Sequence, residues 1–300
     1  MKILVTGACG LLGGHIGGYF SQRHQVVGVD RNTWWGDRPI ELIQGDLCAK
    51  GFIVDCIERT HPDVIIHCAA MVDVDACEQN AALAHQVNAE VTRSLVQAAP
   101  SQSLFVYVAT DGLFKGDHAF AAENDPPCPK TEYARSKVHG EWATQLATEN
   151  HLIVRTNFYG WSSGRKKTAA EWLHNALLTG QRITLYEDFF FSPIYVADFV
   201  RLLSALIDSG ERGTFHLAGK DRVSKYEFGE MMAKCAGLQL NAVTRGAMKD
   251  SSFAVQRPRD MSLGCGRFER LLNLDVPSCQ AGIRNFISHR DRPLSRRFDG

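Results

Sequence analysis

The chain opens Met1-Lys2-Ile3-Leu4-Val5-Thr6-Gly7-Ala8-Cys9-Gly10-Leu11-Leu12-Gly13, an apolar run that breaks into glycines and resumes with helical spacing. Nothing else in the sequence restricts the fold as strongly. A buried strand, a tight glycine turn and a helix in direct succession form the first half of a βαβ unit. That commits the following segments to a parallel sheet. In the spacing G-x-x-G-x-x-G each glycine has its own role. Gly7 permits the turn, Gly10 lets backbone approach a pyrophosphate, and Gly13 lets helix pack on strand. The helix start then offers unpaired N–H groups and about half a positive charge to an anion. Cys9, Leu11 and Leu12, between these glycines, belong to the same dinucleotide-binding loop.

Strands are expected at 2–6, 25–29, 63–68, 103–109 and 152–155, with helices at 10–22 and 132–150. Short apolar runs alternating with helices read as an α/β fold, a doubly wound parallel sheet of the Rossmann type covered on both faces. Residues 1–155 form the expected dinucleotide-binding domain, and 156–300 mainly a smaller C-terminal substrate-binding lobe. In that lobe helices are expected at 168–178, 195–207 and 225–236 and strands at 182–185 and 213–217, part of 187–217 returning to the first domain. Phe189-Phe190-Phe191 reads as a contact between lobes, Trp34 and Trp35 as loop packing, and 289–300 as a frayed tail.

Asp30 ends the second strand, 17 residues after Gly13. A carboxylate there can accept hydrogen bonds from ribose hydroxyls and would repel a 2′-phosphate, while Arg31 beside it could offset that repulsion. NAD(H) is therefore favoured, with NADP(H) left open. A third strand is expected between the second and the one at 63–68, which is then the fourth, with 103–109 the fifth. Asp46 and Leu47 of Gly45-Asp46-Leu47, after this third strand, are placed to meet the adenine. Gly14, Gly17 and Gly18 cost the first helix about 1 kcal/mol each relative to Ala. Close packing on the sheet is the expected compensation.

Charge counts exclude one class of partner. Lys plus Arg is 33 and Asp plus Glu is 33, so a chain that coats nucleic acid or an anionic membrane is not expected. No apolar stretch approaches the roughly 20 residues of a membrane span. Nine cysteines without a C-x-x-C pair read as reduced and mostly buried thiols, which points to the cytoplasm. No histidine spacing suggests a metal, and His67 in its apolar strand reads as a satisfied core residue.

The fifth strand ends Val108-Ala109-Thr110-Asp111, and Thr131-Glu132-Tyr133-Ala134-Arg135-Ser136-Lys137 opens a helix downstream. Tyr133 and Lys137 lie one turn apart on one face, beside a stripe of Ala134, Val138, Trp142 and Leu146 expected to pack on the sheet. A phenol titrates near 10, so a fixed ammonium one turn away is expected to lower it. A hydroxyl such as Thr110 can orient a carbonyl oxygen. Thr110, Tyr133 and Lys137 are the expected catalytic set.

In this order and spacing T-G-A-C-G-L-L-G, A-T-D-G-L-F and Y-A-R-S-K resemble the extended short-chain dehydrogenase/reductase superfamily. Within it the chain is most similar to the dTDP-4-dehydrorhamnose reductase group. H-P-D-V-I-I-H-C-A-A (61–70), Val87-Asn88-Ala89, E-N-D-P-P-C-P (123–129), L-I-V-R-T-N-F-Y-G (152–160) and the stretch from Gln256 to Leu263 extend the likeness over nearly the whole chain. The resemblance implies hydride transfer to the C4 ketone of a nucleotide-linked deoxy sugar. Tyr133 would give the proton, Lys137 would hold the nicotinamide ribose, and Thr110 would polarise the carbonyl. It also implies that Ala69, Ala70, Met71, Asn88 and Phe158 line the cofactor, and that Met71, Asp111, Asn157 and Arg257 face the sugar nucleotide. A homodimer is an open alternative to a monomer.

Three positions depart from the group: Ala109 replaces the usual Ser, Gly112 a usual aromatic, and R-T-N-F-Y-G is one residue short. Sugar-nucleotide 4,6-dehydratases follow the Thr with an Asp–Glu pair, whereas Asp111 is followed by Gly112, which disfavours dehydration. The rival readings are an epimerase that recycles bound NAD and a regulatory subunit resembling the methionine adenosyltransferase β subunit.

Overall fold

A computed structural model describes residues 1–164, 166–251 and 255–298. Its strands are β1 (Lys2–Thr6), β2 (Gln25–Asp30), β3 (Glu41–Gln44), β4 (Val64–His67), β5 (Leu104–Val108), β6 (His151–Arg155), β7 (Phe158–Tyr159), β8 (Ile183–Tyr186), β9 (Phe190–Phe191), β10 (Ile194–Tyr195), β11 (Gly213–His216), β12 (Val223–Ser224), β13 (Val243–Gly246) and β14 (Asp260–Met261). The helices are α1 (Leu11–Phe20), α2 (Phe52–Thr60), α3 (Val74–Gln79), α4 (Ala81–His85), α5 (Val91–Ala98), α6 (Glu132–Ala147), α7 (Ala169–Thr179), α8 (Val196–Asp208), α9 (Lys225–Ala236), α10 (Gly266–Leu272) and α11 (Cys279–Ser288).

Seven strands form one parallel sheet in the order β11-β6-β5-β4-β1-β2-β3. Alternate side chains serve opposite faces, as the two-residue strand period requires. Ile3, Val5, Ile66, Val106 and Val154 join Leu12, Ile16, Phe199 and Leu203 of α1 and α8 in one core. Leu4, Ile65, Phe105 and Ile153 join Ile53, Ile57 and Leu95 of α2 and α5 in the other. The strand order reverses between β1 and β4, which opens the crevice where open α/β sheets bind ligands. Beyond β6 lie three small sheets, β10-β7, β12-β9-β14 and β13-β8, while β11 returns to the edge of the main sheet beside β6. Among the described residues no helix is long and apolar enough to cross a membrane.

Five expectations about packing meet their outcome in the assembled fold. The α6 stripe does not stay on the sheet: Ala134 and Val138 are buried, but Trp142 is 50% and Leu146 89% exposed. The glycines of α1 meet side chains rather than sheet. A Cβ at Gly14 would lie 2.4 Å from Trp35, at Gly17 2.6 Å from Trp34, and at Gly18 2.9 Å from Leu294. The loop tryptophans are thus packed on α1, as read. The tail is not frayed over its described part: Leu294 and Arg297 are buried, Phe298 packs on Tyr19, and Arg297 donates to the Trp161 carbonyl. Residues 299–300 lie outside the described part. Phe189–191 contains strand β9, paired with β12 and β14 inside the small sheet of the second half.

Candidate active site

The glycine turn is built as a cradle. Gly7 has φ +66°, in the left-handed region, and a Cβ there would lie 2.7 Å from the Ala69 nitrogen. A Cβ at Gly13 would lie 2.2 Å from the Gly7 carbonyl oxygen. Helices α6, α7 and α9 are capped by the side chains of Thr131, Thr168 and Ser224, but α1 starts at Gly10 with no side-chain cap and no acid in its first turn. Its leading N–H groups therefore stay available to an anion. These features fit a dinucleotide pyrophosphate.

Asp30 stands at the end of β2, where its carboxylate accepts from Cys9 N–H at 2.9 Å and from Asn32 backbone and side chain at 2.8 and 2.9 Å. It thereby holds the glycine loop. Arg31 lies 3.8 Å from Asp46, both side chains being exposed, so their pairing is weak. Leu47 packs on the α2 side of the core.

Ala69, Ala70 and Met71 follow β4 and are pinned from beneath. Asn88, in a π-helical turn at Gln86–Glu90, accepts from Met71 N–H at 2.7 Å and donates to the Met71 carbonyl and to Ser136. Fully buried, Asn88 spends its amide within the protein and acts here as a positioning residue. His67 bridges Thr6 and Thr92 at 2.6 and 3.0 Å, and burial drives its pKa down to about 3, so it is a neutral core residue.

Helix α6 is fixed at its start by the Thr131 cap and by Glu78, which accepts from Glu132 N–H. Tyr133 consequently stands beside the end of β5, close enough to Thr110 for that hydroxyl to favour its phenolate. Lys137 is 3% exposed and donates to the Val108 carbonyl at 2.7 Å, with its ammonium over the Tyr107 ring. Burial lowers Lys137 to about 8 and raises Tyr133 to about 12, Thr110 opposing the latter shift and Asp111 adding to it. The expected lowering of the phenol by Lys137 is therefore not found. The ammonium points to β5, and desolvation of the phenolate outweighs the hydroxyl that would stabilise it.

On the other side of Thr110 lies Asp111, 5% exposed. It accepts from Thr110 Oγ1 at 3.3 Å and from Asn157 Nδ2 at 2.5 Å. Burial raises it to about 6, against those bonds and the charge of Lys225. Phe158 packs on Phe199 of α8, and Arg257 reaches Asp75 at 3.6 Å. Sequence reasoning missed Lys225. It begins α9, its ammonium stacks 3.2 Å from the Phe191 centroid, and burial lowers it to about 8. Only the capping box Ser224-x-x-Glu227 marked that helix start; nothing local aims the lysine at Asp111. Among the described residues no group of three His, Cys, Asp or Glu could hold a metal ion.

Comparison with known proteins matches residues 1–292 to the RmlD substrate binding domain family. A dTDP-4-dehydrorhamnose reductase of Mycobacterium tuberculosis is 32% identical over 75% of this chain and 72% of its own length. A probable low-salt glycan biosynthesis reductase of Haloferax volcanii is 29% identical over 93% of this chain and 95% of its own. The crystal structure of a dTDP-4-dehydrorhamnose reductase from Bacillus anthracis in complex with NADP superposes with a TM-score of 0.85 at 25% identity, covering 96% of this chain and 99% of that one.

Proposed function

Since the chain belongs to the RmlD substrate binding domain family, with dTDP-4-dehydrorhamnose reductases among its relatives, we propose that it reduces the 4-keto group of a nucleotide-linked deoxy sugar with NAD(P)H. The observation that carries this reading is the gathering of Thr110, Tyr133 and Lys137 at the carboxyl end of β5, where Lys137 donates to the Val108 carbonyl and Tyr133 stands beside Thr110, next to the point at which the strand order reverses. Gly7, Gly10 and Gly13 with the start of α1 would hold the pyrophosphate, Asp30 the adenosine ribose, and Ala69–Met71 and Phe158 the nicotinamide half. A bound reduced nicotinamide supplies the hydride. Thr110 orients the ketone oxygen, and Tyr133 Oη, neutral and protonated at working pH, gives it a proton; the pKa raised to about 12 by burial makes it a weaker acid than a free phenol. Lys137 ties α6 to β5 and places Tyr133, and Arg257 and Asn157 border the sugar nucleotide.

A panel of 4-keto-sugar nucleotides, followed by NADH and NADPH absorbance in parallel, tests the reading. Stoichiometric oxidation of reduced cofactor is expected. An epimerase would show substrate conversion without net oxidation, and a regulatory subunit would bind cofactor without turnover. A homodimer is the partner this reading carries, and sedimentation velocity of the cofactor-loaded protein tests it.

A further inference from the structure

Residues 31–40 join β2 to β3 without regular structure and begin directly after Asp30, at the end of the crevice proposed for adenosine. On its inner side that loop rests on α1 through Trp34 and Trp35. On its outer side Asp37 accepts from the Ser295 N–H at 2.9 Å and from the Ser295 hydroxyl, 258 residues further along the chain. Ser295 lies in a single 3₁₀ turn, Leu294–Arg296, which is fastened to α1 as well. Gln22, just past α1, donates to the Ser295 carbonyl at 3.2 Å, and Leu294 is buried against Gly18. Arg297 Nη1 then donates to the Trp161 carbonyl at 3.1 Å and to His15 Nε2 at 3.3 Å. The His15 ring has the tautomer this needs. Its Nδ1 lies 2.8 Å from the Leu11 carbonyl, which can only accept, so the proton sits on Nδ1 and Nε2 is left to accept. Burial, lowering His15 to about 3, keeps the ring neutral. Trp161 is fixed independently: it donates to the Phe286 carbonyl at 2.6 Å and stacks on the Phe286 ring at 4.2 Å.

We propose that the C-terminal segment is a strap that sets the protein's affinity for the adenosine half of the dinucleotide, with Ser295 and Arg297 as its positioning residues. This rests on the cofactor placement above. Both residues act through others. Ser295 holds Asp37, and with it the loop after Asp30. Arg297 holds His15, and with it the helix whose first turn faces the pyrophosphate. Trp161 is the anchor of the strap, since its bonds to Phe286 keep it in place without Arg297. The loop and α1 are what the strap secures. A loop without regular structure gives up conformational freedom when a ligand orders it, and one ordered beforehand spares the ligand that loss. Loosening the strap therefore weakens the grip on adenosine and leaves the nicotinamide half unchanged.

Titration calorimetry of the full chain with ADP-ribose and with nicotinamide mononucleotide, the two halves of the cofactor, tests the strap without turnover. In Arg297→Met and in Ser295→Ala the ADP-ribose Kd should rise about 3- to 30-fold, while the mononucleotide Kd stays within about twofold of wild type. An unchanged ADP-ribose Kd in either variant overturns the proposal. Equal weakening of both ligands also overturns it, because the tail then supports the fold as a whole and not the adenosine wall. Asp37→Ala, which breaks the Ser295 contact from the loop side, takes the place of Arg297→Met if that variant does not fold, with the same outcomes. Wild-type protein that binds neither ADP-ribose nor NAD(P)H refutes the cofactor placement itself.

Discussion

Trp35 lies edge-on to His15, with 5.9 Å between ring centroids, so the loop after Asp30 is packed on the helix that follows the glycine turn. The two segments that would hold opposite halves of an adenosine diphosphate are thus one packed unit. Arg297 from the tail completes it, donating toward the His15 ring at 3.3 Å.

Gly14→Ala separates packing from helix propensity. Alanine gains about 1 kcal/mol in a helix interior. Its Cβ would lie 2.4 Å from Trp35, and overpacking of that kind costs about 1–3 kcal/mol. The variant is expected to lose about 1 kcal/mol net and to melt about 2–4 °C lower. A higher melting temperature would show that Trp35 gives way freely.

Tyr133→Phe removes the proposed proton donor and keeps the ring. We expect kcat to fall by about 10²- to 10⁴-fold, with cofactor affinity within about twofold of wild type. Turnover assays and fluorescence titration of NADPH check the two halves separately, and a wild-type rate would remove Tyr133 from the reaction.

Asp30→Ala is expected to weaken both cofactors, because the Cys9 N–H loses its acceptor. It should also raise the NADPH to NADH ratio of kcat/KM by about tenfold, since a carboxylate no longer faces the 2′-phosphate. An unchanged ratio places Asp30 away from that ribose.

Buried histidines, His15, His67 and His216 foremost among them, set the acid side of stability. His15, His67 and His216 are each lowered from 6.5 to about 3, desolvation being the largest cause. Between those values the unfolded chain binds protons that the folded chain refuses, so stability rises with pH from about 3 to 6.5. Each histidine adds up to about 1.4 kcal/mol per pH unit, so stability should drop steeply below pH 6.5. Urea midpoints from pH 5 to 8 measure this, and a flat profile would show that these histidines protonate in the folded state.

The sheet's strands and helices were legible in the sequence because strand alternation, helical spacing and glycine turns act over a few residues. β1, α1 and the pairing of Tyr133 with Lys137 on one helix face follow from such local rules. Tertiary structure decided where those faces point. Trp142 and Leu146 share a helix face with Val138, yet they are 50% and 89% exposed. Gly14, Gly17 and Gly18 are required by Trp35, Trp34 and Leu294, the last of them 276 residues from the glycine it meets. Asn88 reaches Met71, and Lys225 faces Asp111, only once the crevice is assembled. The sequence by itself determined the sheet and the order of its motifs, since short-range sterics and periodicity specify them. The tertiary structure alone decided which groups share a proton or a charge, because burial and long-range approach govern both.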